Sequence, residues 1–122
     1  MAKKVLILDD EKGLRLILRT LIQRTGECEI FESDSLHEAL SMCKSTRFDI
    51  IFLDHNVSDG IGWHIAEEIK KNPESYGSPK VIGMSGSVPY DTERKLFDYF
   101  FVKPFSVAEL MPKLDSYMAD KE

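Results

Sequence analysis

Midway along the chain, four apolar residues in a row, Ile50-Ile51-Phe52-Leu53, stop abruptly at a carboxylate, Asp54. A run this short, rich in β-branched and aromatic side chains, reads as a strand buried on both faces. Such a strand needs a sheet with helices packed on either side. An acid at its C-terminal end stands where open α/β sheets place their ligand chemistry. By itself Asp54 is equally well a turn residue, because Asp favours turns and the polar stretch His55-Asn56-Val57-Ser58-Asp59-Gly60 follows it.

The same pattern recurs along the chain. Val5-Leu6-Ile7-Leu8 runs into Asp9-Asp10-Glu11, Val81-Ile82-Gly83-Met84 into Ser85-Gly86-Ser87, and Tyr99-Phe100-Phe101-Val102 into Lys103-Pro104. A weaker, short strand is read at Cys28, Ile30 and Phe31. Helical patterns lie between them. Leu14, Ile17, Leu18, Leu21 and Ile22 have amphipathic spacing, with Gly26 as a stop. Ser35-Leu36-His37-Glu38 has capping-box spacing and opens a helix through Ala39, Leu40 and Met42. Ile61, Ile65, Ala66 and Ile69 mark a third helix, stopped near Asn72-Pro73 and followed by a polar loop over Glu74–Pro79. Only a short helix fits between Tyr90 and Asp98. Ser106-Val107-Ala108-Glu109 is a second capping box, opening a last helix with Val107, Leu110, Leu114 and Tyr117, which Pro112 is expected to kink or delay.

Apolar strands alternating with helical patterns predict an α/β fold, a five-stranded parallel sheet doubly wound by helices, in one domain spanning residues 1–122. Right-handed crossovers bring the strand C-terminal ends to one edge, and with them Asp9, Asp10, Asp54, Ser85 and Lys103. A net charge of −5 argues against a nucleic-acid partner, and no apolar run approaches a membrane span. The start is too short and too soon acidic for a signal peptide. Cys28 and Cys43 show no metal-type spacing and read as buried thiols of a cytoplasmic protein.

Three carboxylates converging in one pocket repel one another and call for a cation or for raised pKa values. Hard oxygen donors suit Mg²⁺, which takes one or two carboxylates and keeps its other positions for water and phosphate. Lys103 and Ser85 offer a point charge and a hydroxyl donor to phosphoryl oxygens. An Asp beside them can attack phosphorus in line and form an acyl phosphate. Each residue also has a plain reading, as helix cap, turn residue or solvated lysine. Their coincidence at four strand ends favours the chemical one.

The ordered set Leu8-Asp9-Asp10, Phe52-Leu53-Asp54, Met84-Ser85-Gly86 and Val102-Lys103-Pro104-Phe105 resembles the receiver domains of two-component response regulators, the single-domain chemotaxis type in particular, from Lys4 to about Met118. That resemblance implies strand order 2-1-3-4-5 and a phosphoacceptor signalling domain rather than a turnover enzyme. Asp54 would be the phosphoacceptor. Asp10, Asp54 and the backbone carbonyl of Asn56 would hold Mg²⁺, with Asp9 assisting indirectly. Ser85 and Lys103 would bind the phosphoryl group, and the Lys103–Pro104 bond would be cis. Ser85 and Phe100, where Tyr is familiar, would be the switch residues. The implied partners are a histidine kinase or a histidine phosphotransfer protein, with an unidentified protein downstream, and the implied state is monomer or weak dimer.

Two departures stand out. Counted to Asp59-Gly60, the loop after Asp54 is two residues shorter than the family's Asp-x-x-Met-Pro-x-x-Asp-Gly and lacks Met-Pro. The Ser85-to-Lys103 segment is shorter by about one helical turn, predicting a stunted fourth sheet-flanking helix. Two other readings compete. A pseudo-receiver would keep the fold as an interaction module without phosphorylation. A small phosphatase of the haloacid dehalogenase type would need its nucleophile at the first strand with a second acid two residues on, which Asp9 and Glu11 fit loosely. His55 reads as a solvated loop histidine, with tuning of access to an acyl phosphate as the alternative, His37 and His64 lack metal spacing, and Trp63 reads as packing.

Overall fold

The computed structural model describes residues 2–118. The ends of the expected 1–122 domain, residue 1 and residues 119–122, lie outside the described residues. In chain order the elements are β1 (Lys3–Leu8), α1 (Lys12–Arg24), β2 (Cys28–Ser33), α2 (Leu36–Ser45), β3 (Ile50–Asp54), β4 (Asn56–Val57), β5 (Gly60–Ile61) and α3 (His64–Lys71). They continue with α4 (Pro73–Tyr76), β6 (Lys80–Ser85), α5 (Asp91–Arg94), β7 (Tyr99–Val102) and α6 (Val107–Met118). Five strands form one parallel sheet in the order β2-β1-β3-β6-β7, the expected order once the small β4–β5 hairpin is set aside.

Alternation along each central strand builds two cores. Val5, Ile7, Ile50, Phe52, Ile82, Met84 and Phe101 face one side, where Leu18, Leu21 and Ile22 of α1 and Leu110 and Leu114 of α6 cover them. Leu6, Leu8, Ile51, Leu53, Val81 and Phe100 face the other, under Ala39 and Cys43 of α2 and Ile65, Ala66 and Ile69 of α3. Each fully buried aliphatic side chain contributes about 2 kcal/mol. Every residue of β3 is buried, so the continuous apolar run follows directly from covering both faces.

Several local expectations change. The strand at Cys28 is a full six residues, because β1 pairs with it residue for residue. Ile17 and Val107 are exposed despite fitting their helical stripes. Ile61 belongs to the hairpin rather than to α3, which starts at His64. The loop expected after Asn72 contains a one-turn helix, α4, that buries Tyr76 and lets its hydroxyl donate to Glu68 at 3.0 Å. Pro112 neither delays α6 nor interrupts it. It lies on the exposed side, as does Ala108, whose freed carbonyl water can satisfy. The fourth sheet-flanking helix, α5, is a single turn, as its short segment requires. Among the described residues, no helix is long and apolar enough to cross a membrane.

Candidate functional site

Sheet register brings the charged residues together. Leu8 lies opposite Leu53 across β1 and β3, so Asp9 and Asp54 leave the sheet side by side. Asp54 pairs with Met84 in β6, which puts Ser85 one residue beyond it, and Ser85 pairs with Val102, so Lys103 follows at the same edge. The Lys103 N–H donates to the Ser85 carbonyl at 2.7 Å, and the Lys103–Pro104 bond is cis.

At this edge Asp9, Asp10 and Asp54 each present a carboxylate oxygen, all within 4.8 Å of one another. Lys103 Nζ sits among the acids, 2.9 Å from Asp9, 3.1 Å from Glu11 and 3.2 Å from Asp54. Asp9 is fully buried and both its oxygens are engaged: Oδ1 accepts the Glu11 N–H at 2.8 Å and Oδ2 accepts from Lys103. Asp10 is exposed and makes no ion pair among the described residues. Desolvation first, then the negative charge of Asp9, pushes the Asp54 carboxyl up to about 6 despite the opposing pull of Lys103. Burial pulls Lys103 down, but its bonds to Asp9 and the charge of Asp54 outweigh that and hold its ammonium above the ordinary lysine range. Three hard carboxylates with one exposed member fit a divalent oxygen-seeking cation better than they fit one another.

The surroundings fix this arrangement. Arg15 donates from Nη1 to the Asp9 carbonyl at 2.7 Å and from Nε to Glu32 at 3.2 Å. Ser85 is buried, and its Oγ accepts the Ser87 N–H at 3.2 Å. Phe100 is buried, 5.2 Å from the Trp63 ring, and lies so close over Gly83 that a Cβ there would meet its ring at 2.7 Å. Trp63 is core packing, but it also meets the His55 ring edge to face at 4.4 Å and donates Nε1–H to the Leu53 carbonyl at 3.3 Å. His55 is therefore half-buried against an aromatic ring rather than a free loop histidine.

The connection after Asp54 corrects the expectation of a shortened loop. The His55 N–H donates to the Met84 carbonyl and the Gly62 N–H to the His55 carbonyl, both at 2.9 Å. A Cβ on Gly62 would collide with the Asp54 carbonyl oxygen. Gly62, not Gly60, is thus the glycine required at Asp54, and it stands eight residues on, the spacing of the family pattern. Ile61 occupies the pattern's second Asp position. Asn56 and Ile61 form a non-hydrogen-bonded pair of the antiparallel ladder, which leaves the Asn56 carbonyl outside that ladder.

The model of the response regulator receiver domain matches residues 5–115. The sensory transduction protein LytT of Bacillus cereus is 34% identical over 124 residues, covering 98% of this chain. The chain spans only 48% of LytT, about half of that protein's length. The response regulator TrrA of Thermotoga maritima, solved with Mg²⁺-BeF, is 29% identical with a TM-score of 0.80, over 94% of this chain and 98% of that one. TrrA has also been solved in complex with the histidine kinase ThkA. A CheY-like receiver domain from Methylobacillus flagellatus superposes with a TM-score of 0.82 at 23% identity, over 96% of this chain and 99% of that one, a likeness of fold. The family match begins within β1 and takes in the other four strands of the sheet whole, and the chain belongs to the response regulator receiver domains of two-component signalling.

Proposed function

We propose that Asp54 accepts a phosphoryl group from a histidine kinase or histidine phosphotransfer protein and that the modified chain, a single cytoplasmic receiver domain, presents an altered surface to a protein partner. The observation that carries this reading is a buried carboxylate, pushed up to about 6, beside a lysine at 3.2 Å and two further acids. An Asp54 oxygen attacks phosphorus, the bond from phosphorus to the donor's imidazole nitrogen breaks, and an acyl phosphate results.

Asp10 and Asp54, with the Asn56 carbonyl that lies outside the hairpin ladder, are the groups that would hold Mg²⁺, while Asp9, both oxygens engaged, supports the site indirectly. When bound, the cation supplies neutralisation of charge on the acids and the transferring oxygens. Lys103 is the cation of the chain itself that stands ready for a phosphoryl oxygen, at the expense of its present contacts with Asp9 and Asp54. The Ser85 Oγ, which accepts from Ser87, still has a proton to donate. New charge at Asp54 that draws Ser85 inward frees space next to Phe100, which packs on Trp63 and can follow by a rotamer change. Catalysis by the chain is then limited to its own phosphorylation and the later hydrolysis of its acyl phosphate.

The test is exposure to acetyl phosphate with and without Mg²⁺, read by intact mass and peptide mapping. One Mg²⁺-dependent phosphoryl group on Asp54, lost in Asp54→Asn, is expected. Undiminished labelling of Asp54→Asn would sink the assignment. No labelling and no Mg²⁺ binding would favour a pseudo-receiver, and sustained phosphomonoester turnover a phosphatase.

A further inference from the structure

The β4–β5 hairpin has two residue pairs, far too few to hold its own shape in water. At its base it is fixed by the bonds of His55 and Gly62. At its tip the Asp59 carboxylate accepts from the Leu36 N–H at 2.6 Å, the Ser35 Oγ at 2.9 Å and the His37 N–H at 3.2 Å, and pairs with His37 Nδ1 at 2.7 Å. The hairpin also lies flush on the start of α2, since a Cβ on Gly60 would meet Leu36 at 2.7 Å. Val57 points into the core while Asn56, between the two anchors, stays exposed with its carbonyl outside the ladder.

Asp59 is not the only group that caps α2. Ser35 already serves as N-cap, its Oγ accepting the Glu38 N–H. What the four contacts accomplish is a crosslink from the helix to the segment that carries Asn56. Its charge suits the positive end of the helix dipole, and charge-assisted bonds are the stronger kind.

We propose that Asp59 is a positioning residue that clasps the Asn56 segment to the first turn of α2, so that cation binding at the acid cluster and order at that turn are coupled. This rests on the reading that Asp54, Asp10 and the Asn56 carbonyl hold Mg²⁺. Because coupling between two sites is reciprocal, a clasp that raises Mg²⁺ affinity is itself tightened by Mg²⁺.

The experiment titrates Mg²⁺ into the unsubstituted chain and into Asp59→Ala and Asp59→Asn. The single tryptophan, Trp63, reports binding by fluorescence, and amide hydrogen exchange is followed at Leu36 and His37. In the unsubstituted chain Mg²⁺ slows exchange at both amides. Asp59→Ala weakens Mg²⁺ affinity about tenfold, the scale of losing a group that orients a ligand, and abolishes the slowing. Asp59→Asn, which keeps an acceptor oxygen and guards against misfolding of the Ala variant, falls between. His37→Ala, which removes one contact of the four, weakens the affinity less than Asp59→Ala does. A merely structural cap would shift the melting temperature without changing the Mg²⁺ response. Unchanged Mg²⁺ affinity in folded Asp59→Ala or Asp59→Asn overturns the clasp alone. Absence of any Mg²⁺ response in the unsubstituted chain overturns the clasp together with the metal reading beneath it.

Discussion

Asp54 and Asp59 are the same residue type, five positions apart, in opposite electrostatic situations. Asp54 is buried at a strand end, faces Asp9 and has one ammonium shared with two other acids, and its carboxyl is raised to about 6. Asp59 lies at a hairpin tip, bonded first of all to the His37 ring, then to backbone N–H groups and the Ser35 hydroxyl, and its carboxyl is held well below the usual range. The first is a charge in deficit, which on the proposed function is the group that gains a cation or a phosphoryl group. The second is a charge already satisfied by its own surroundings. The difference separates a carboxylate short of partners from one fully supplied with them.

The largest expected effect breaks the boundary between the two. Gly62→Ala drives a Cβ into the Asp54 carbonyl at the hairpin base, and is expected to destabilise the chain by about 3 kcal/mol in urea or guanidinium titrations. Retained stability there would mean that the hairpin base is free to shift.

The next test sharpens the contrast through pH. In the metal-free chain the Asp54 carboxyl, ordinarily near 3.8, titrates at about 6, so the unfolded state gives up this proton first. Stability from this group is therefore lost as pH rises between about 4 and 6, and Asp54→Asn is expected to stabilise by roughly 1–3 kcal/mol at pH 7 and by nothing below pH 4. Mg²⁺ should reverse that order, favouring the unsubstituted chain. Asp59 has the opposite sign. Its folded carboxyl is depressed, so its contribution is present at neutral pH and disappears as pH falls below the ordinary carboxylate range. Acid denaturation of Asp59→Asn should thus converge with the parent at low pH. Parallel curves for the two variants would remove the distinction.

The smallest effect compares two helix starts of identical signature. Ser106 and Glu109 close a full box, with the Ser106 N–H donating to Glu109 at 2.9 Å and the Glu109 N–H to Ser106 at 3.1 Å. At α2 the Glu38 carboxylate is taken by the Ser33 hydroxyl at 2.6 Å, and Asp59 holds the first two N–H groups of the helix. Ser106→Ala should cost about 1 kcal/mol and Ser35→Ala distinctly less, read from melting curves.

Much of this molecule was legible in advance. Runs such as Ile50–Leu53 read directly as strands because burial on both faces leaves no polar position, and the crossover rule then places their ends together. Asp9, Asp10, Asp54, Ser85 and Lys103 could be gathered on that ground alone, and the structure brings their strand ends to one edge. Exposed Ile17 and Val107 were not legible, since periodicity marks a stripe but not its width. Nor was the job of Arg15, whose i, i+4 surroundings resemble any solvated helix face. Gly62 did leave a signal, its spacing of eight from Asp54, but the nearer Asp59-Gly60 pair masked it.

The sequence by itself determined the order of strands and helices, the character of the sheet and the chemistry gathered at its edge, because these follow from local pattern and chain connectivity. Only the tertiary structure decided which acids Lys103 binds, that Asp9 has both oxygens engaged while Asp10 stays open, and that Asp59 reaches across to α2. Those outcomes depend on distances between segments far apart in the chain, and side-chain bonds that short-range pattern cannot encode are settled only when the backbones meet.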